Sequence, residues 1–109
     1  MVRVDERDFR IVAPRQVPAG DVRLSVVNRG PDDHELIIVR KKEGSELPLR
    51  SDGLTVDEDA LGRANVGALE PGEPGTRELR VNLKPGHYEL ICNMAGHYLG
   101  GMERDLDVR

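Results

Sequence analysis

Apolar residues along this chain fall in short runs, many alternating with polar or charged neighbours and most bounded by Gly, Pro, Asn or Asp. That pattern predicts strands of a sandwich or barrel, with little helix. Residues 9–13 form a first candidate strand. Residues 21–28 form a second, with Val22, Leu24 and Val26 on one face. Residues 28–33 read Asn-Arg-Gly-Pro-Asp-Asp, which is turn chemistry, and a third strand follows over 35–40. The stretch 40–75 is rich in Gly, Pro and charge and predicts a long connection crossing between sheets. Within it, Thr55, Val56, Asp57 and Glu58 match a capping box, with Gly62 as a stop after about two turns, and 66–69 adds a short strand. Residues 77–83 alternate with Leu79, Val81 and Leu83 inward, and Lys84-Pro85-Gly86 turns the chain into 87–92. There Tyr88, Leu90 and Cys92 share a face. Residues 103–109 close the chain with Leu106 and Val108 in alternation. No repeat or low-complexity tract interrupts this order, which predicts an all-β Greek-key sandwich of about seven strands with one long crossover.

With 109 residues the expectation is a single domain over 1–109 and one functional site. The formal net charge of -4 arises from interspersed acids and bases with no basic stripe, which argues against a nucleic-acid partner. A single cysteine excludes an internal disulfide, leaving Cys92 as a buried thiol, a reactive thiol or a metal ligand. No apolar run reaches bilayer length, and MVRVDERDFRIV lacks the order of a signal peptide. An export signal or membrane tether would have to come from a segment outside these residues.

The most informative stretch is Cys92-Asn93-Met94-Ala95-Gly96-His97-Tyr98-Leu99-Gly100-Gly101-Met102, which spaces Cys, His and Met evenly between two strands. A thiolate, an imidazole and a thioether form a soft donor set, suited to copper far better than to Mg or Ca. A second imidazole would complete a trigonal plane with a weak axial thioether, and His34, at the mouth of a strand after a turn, is the candidate.

At these residues the sequence resembles the cupredoxins, or blue copper proteins. The match consists of Val26-Val27-Asn28-Arg29-Gly30 with His34 following, the strand Pro85-Gly86-His87-Tyr88-Glu89-Leu90-Ile91-Cys92, and the loop through His97 and Met102. The C-x4-H-x4-M spacing looks most like the rusticyanin and sulfocyanin branch. The resemblance covers about 9–40 and 76–109; residues 41–75 carry no motif. It implies one copper ion cycling between Cu(I) and Cu(II), held by His34, Cys92, His97 and axial Met102. It further implies a monomeric one-electron carrier that is not an enzyme, redox partners docking near His97, and a periplasmic or other extracytoplasmic location. One position departs from the pattern. Many relatives follow the first His with Asn or Ser, which ties the two ligand loops; here Glu35 stands there, and the tie is open.

Plainer readings stand beside these. Cys92 can be a small core hydrophobe, His34 a locally bonded turn residue and Met102 a core gap-filler. His87, opposite in parity to Cys92, is expected at the surface, Met94 is expected to pack, and Arg40-Lys41-Lys42 and Asp57-Glu58-Asp59 are expected to be solvated. Tyr98 either joins a docking surface or shields the metal. Among functions, the alternative to electron transfer is a copper module for delivery, storage or sensing. A Cys92–His97 nucleophilic enzyme leaves Met102 unexplained. Three histidines and one cysteine are too few for multicopper oxidase or binuclear copper chemistry. A cupredoxin-like domain that has lost its metal would not be expected to keep all four ligand types.

Overall fold

The computed structural model describes residues 1–42 and 44–109; Glu43, inside the connection expected over 41–75, lies outside the described residues. Nine strands among the described residues form two sheets. In chain order they are β1 (Val2–Arg7), β2 (Arg10–Val12), β3 (Gln16–Val17), β4 (Gly20–Asn28), β5 (His34–Arg40), β6 (Asn65–Gly72), β7 (Gly75–Leu83), β8 (Gly86–Ile91) and β9 (Glu103–Val108). One sheet has the order β2-β1-β4-β7 and the other β3-β9-β8-β5-β6. The all-β sandwich expected from the alternating pattern is therefore the architecture, with a strand count slightly above seven.

The added strands are β1 and β3. In β1, Val2 and Val4 alternate with Arg3 and Asp5, and the strand pairs in parallel with β4, setting Val4 beside Val26 and Glu6 beside Asn28. Its third inward position is a glutamate, which hides the apolar period from a sequence reading. β3 is only two residues long and pairs in parallel with the end of β9, too short to leave any period.

The inner faces meet in one core that includes Val4, Leu24, Val26, Leu36, Ile38, Leu90, Cys92 and Met102. Tyr88, Leu90 and Cys92 enter it together, as the parity of β8 requires. β5 differs from a half-solvated strand, because every residue from His34 to Val39 is buried. Its second face is covered by the crossover. Leu47, Val56 and Leu61 pack there on Ile37, Val39 and Ile91 as a separate cluster.

The crossover holds a single helical turn, α1 (Glu58–Leu61), which runs into a short 3-10 turn at Gly62. Its cap is Asp57, whose Oδ1 accepts from the Ala60 amide at 3.2 Å, and not Thr55. The expected capping box does not form because its two ends are taken elsewhere. The Thr55 hydroxyl accepts from Arg50 at 3.0 Å, and Glu58 accepts from Asn93 at 2.9 Å. Nor is the run 57–59 uniformly solvated, since only Asp59 is exposed. Lys41 is likewise drawn in, its Nζ lying 2.5 Å from the carboxylate of buried Glu89.

Glu6 is 0% exposed, and neither carboxyl oxygen has a hydrogen-bond partner. Burial pushes its carboxyl up to about 8, with Arg77 pulling it down and Glu35 pushing it further up. Below that value the folded chain keeps a proton that the unfolded chain releases near the ordinary glutamate range. Stability therefore falls as pH rises from about 4.5 to about 8 and levels off above. Glu6→Gln is expected to reduce this slope, leaving the part that raised Glu35 contributes, and to raise stability at pH 7 by about 3 kcal/mol. Urea unfolding of both proteins at pH 5 and 7 checks it, and equal slopes against pH would refute the assignment.

Candidate metal centre

Two loops at one end of the sandwich bring His34, Cys92 and His97 together. The first is the 28–33 turn leading into β5. The side chain of buried Asn28 organises it, accepting from the Gly30 amide at 2.7 Å and donating to the Asp32 and Gly72 carbonyls at 3.1 Å each. Gly30 has a φ of +71°, and a side chain there would press on Pro74. β5 then begins at His34, whose carbonyl accepts from the Arg77 guanidinium at 3.2 Å.

The second loop runs from Cys92, just past β8, to Met102, just before β9. It is closed by its own backbone. The His97 amide donates to Met94 at 2.9 Å, the Met102 amide to His97 at 3.0 Å, and the Cys92 amide to Met102 at 3.2 Å. Two ties join this loop to β5. The Glu35 amide donates to the Cys92 sulfur at 3.4 Å, and the Asn93 amide donates to the Glu35 carboxylate at 3.0 Å. Glu35 thus supplies the loop-to-loop tie that the sequence left open, with a carboxylate in place of an amide or hydroxyl. Its carboxyl is pushed up to about 7, chiefly by burial and then by Glu58, against the pull of the Asn93 amide.

Sequence reasoning missed Asn93. Its side chain accepts from the Val56 amide at 2.7 Å and donates to the Val56 carbonyl at 3.0 Å and to Glu58. The Gly96 amide adds a bond to the Leu54 carbonyl at 3.2 Å. These bonds anchor the ligand loop on the motif-free crossover. An Asn directly after the cysteine was the only available signal.

The donor atoms converge closely. His34 Nδ1 and His97 Nδ1 are 3.2 Å apart, and the Cys92 sulfur lies 3.4 Å from His97 Nδ1 and 3.8 Å from His34 Nδ1. All three residues are buried. The centre of a triangle with these sides is about 2.0 Å from each corner, close to the ~2.0–2.3 Å that first-row metals adopt with imidazole nitrogen and thiolate sulfur. The donor set and its spacing therefore fit a copper ion. Burial pushes the Cys92 thiol up to about 11, partly offset by the Met94 and Glu35 amides. It pushes the His34 imidazole below its ordinary range, against the pull of the Asp8 carboxylate. Both shifts disfavour the charged forms, so a thiolate in this position requires a cation beside it.

Met102 is fully buried and shares the main core cluster with Cys92. His87 lies outside the cluster of donors, with Nδ1 2.7 Å from Asp107. Met94 packs on the main core and Tyr98 on the outer cluster over β5 and β8. His97 itself is only 6% exposed. The ring of Phe9 packs edge-on to it, with centroids 5.3 Å apart; Phe9, Leu54, whose carbonyl accepts from the Gly96 amide, and Leu99, within the loop, are large exposed apolar residues.

Sequence comparison gives no matching family model and no matching curated protein. Comparison of structures does find proteins of similar fold. Reduced auracyanin from the photosynthetic bacterium Roseiflexus castenholzii superposes with a TM-score of 0.69 at 18% identity, over 98% of this chain and 94% of its own. Auracyanin B gives 0.69 at 22% identity over 99% and 87%. Rusticyanin from Thiobacillus ferrooxidans gives 0.68 at 16% identity over 98% and 76%. The fold that the ligand-loop resemblance implied is the one the chain adopts: a cupredoxin β-sandwich, shared with auracyanin and rusticyanin.

Proposed function

We propose that the chain, acting as one domain over 1–109, holds a single copper ion and carries one electron at a time between redox partners. The observation that carries this reading is the buried triangle of His34 Nδ1, Cys92 Sγ and His97 Nδ1, at mutual distances of 3.2 to 3.8 Å. In it the two imidazoles and the Cys92 thiolate would be the strong ligands, and the Met102 thioether, buried in the same core cluster as Cys92, would be the weak fourth one. Copper supplies the reversible one-electron couple.

The protein's own share of the work is to hold the donors still. A carrier works fastest when its ligands move little between oxidation states. The backbone bonds within the 92–102 loop and the Glu35 ties resist such movement. The Glu35 amide on the sulfur also stabilises thiolate charge, one of the levers that sets the potential of such a site. Docking is assigned to the exposed apolar side chains of Phe9, packed against His97, and of Leu54 and Leu99, bonded to the 92–102 loop and within it. A delivery or storage module is disfavoured by the burial of all three donors, since exchange of copper needs an open site. The same reading places the protein outside the cytoplasm and gives it no enzymatic step.

One equivalent of Cu(II) is expected to produce an intense visible charge-transfer band that bleaches reversibly on reduction. Cys92→Ser should abolish that band. A band that survives the substitution, or fails to form in the parent protein, would sink the reading. Met102→Leu is expected to leave copper bound and raise the potential, because an axial donor that stabilises Cu(II) is lost; titration of both proteins by spectroelectrochemistry measures it, and an unchanged potential would remove Met102 from the ligand set.

A further inference from the structure

Each imidazole of the triangle has a carboxylate at its other nitrogen. Asp8 Oδ1 lies 2.8 Å from His34 Nε2, and Asp32 Oδ2 lies 3.3 Å from His97 Nε2. Neither contact is an aligned hydrogen bond, and His34 Nε2 has no hydrogen-bond partner, so each carboxylate acts on its neutral ring through its charge at short range. The two carboxylates are not independent, since Asp8 Oδ1 also accepts from the Asp32 amide at 3.4 Å. Asp8 lies in the turn between β1 and β2, and Asp32 in the turn before β5, so two separate loops each bring an acid to one ring.

The inner side of the rings shows why this matters. With Nδ1 atoms 3.2 Å apart, the metal-free site has two arrangements. In one, a ring carries its proton on Nδ1 and donates it to the other ring, which blocks the triangle. In the other, both protons sit on Nε2, and both Nδ1 lone pairs are free but repel each other. A carboxylate at each Nε2 favours the second arrangement, because it attracts the proton outward and stabilises the polarised N–H.

Resting on the metal-centre reading above, we propose that Asp8 and Asp32 are positioning residues that fix His34 and His97 in the Nε2–H tautomer, so that both Nδ1 atoms are bare toward Cys92, and that their charge biases a bound metal toward its higher oxidation state. Asp8 has the larger effect of the two. Its side chain is 14% exposed against 54% for Asp32, so water and salt screen it less.

Nitrogen-15 spectra of the histidine side chains in the metal-free protein at pH 8 test the tautomers without copper. Both rings are expected to carry the proton on Nε2. Asp8→Ala should disturb His34 more than His97, and Asp32→Ala should disturb His97 more than His34. A parent protein with either ring protonated on Nδ1, or variants whose tautomers do not change, would overturn the proposal. The gentler Asp8→Asn and Asp32→Asn keep an acceptor oxygen and remove the charge, which guards against misfolding in the alanine variants. With copper, Asp8→Asn is expected to lower the affinity for Cu(II) relative to Cu(I) by about tenfold, a rise of about 59 mV for a one-electron couple. Asp32→Asn should give a smaller rise that shrinks in high salt. Potentials unchanged in both asparagine variants would overturn the charge effect. A parent protein that takes no copper would instead sink the metal-centre reading, while the tautomer spectra would still decide whether the carboxylates hold the rings.

Discussion

The architecture around this site is constrained by the cost of holding three buried donor atoms within 4 Å of one another. Cut off from water, each of these atoms must find its partner among the other two, through a thiol or ring N–H or through a shared cation. Backbone holds them there, since the amides of Glu35, Asn93, His97 and Met102 all bond within or between the two loops. The loops thus fix the three side chains at a spacing that would suit a cation.

The crossover has a part in this that its composition conceals. A strand buried on both faces, as β5 is, needs cover on its outer side, and Leu47, Val56 and Leu61 provide it. The same segment reaches the ligand loop through Val56, Glu58 and Leu54. Cover and anchor are therefore one element. Packing of the outer cluster fixes where Val56 lies, and the Asn93 side chain converts that position into a restraint on the residue next to Cys92.

The sequence made the strands with alternating patterns legible, because alternation is a direct record of a sheet with one wet face. β4, β7 and β9 were found for that reason, and in β8, buried on both faces over 88–91, parity still placed Cys92 on the core face. The ligand loop was legible because an even spacing of Cys, His and Met between two strands suits a soft metal site and little else. β1 was not, because an inward glutamate breaks its apolar period, and β3 was not, because two residues have no period. The capping-box motif failed on different grounds. Thr55 and Glu58 have the right spacing for each other, but tertiary partners, Arg50 and Asn93, outcompete the local bonds. The Glu35 tie was open because a carboxylate accepts as well as an amide oxygen does, and only the approach of the Asn93 amide reveals it.

The missed strand also changes the extent of the site. β1 carries the chain to Asp8 and Phe9, which lie directly after it, so the N-terminal residues form part of the wall around His34 and His97. Phe9 stands edge-on to His97, and its presence accounts for the small residues of the ligand loop better than flexibility does. A Cβ on Gly100 would meet the Gly96 carbonyl oxygen at 3.0 Å and the Phe9 side chain at 3.3 Å. One on Gly101, at a φ of +113°, would meet the Phe9 carbonyl oxygen at 3.2 Å. Two glycines at these positions let the β1–β2 turn lie flat on the loop. The result is a nearly covered histidine packed edge-on against a half-exposed aromatic ring. That cover comes from a turn whose preceding strand the sequence pattern did not reveal, because Glu6 breaks its apolar period.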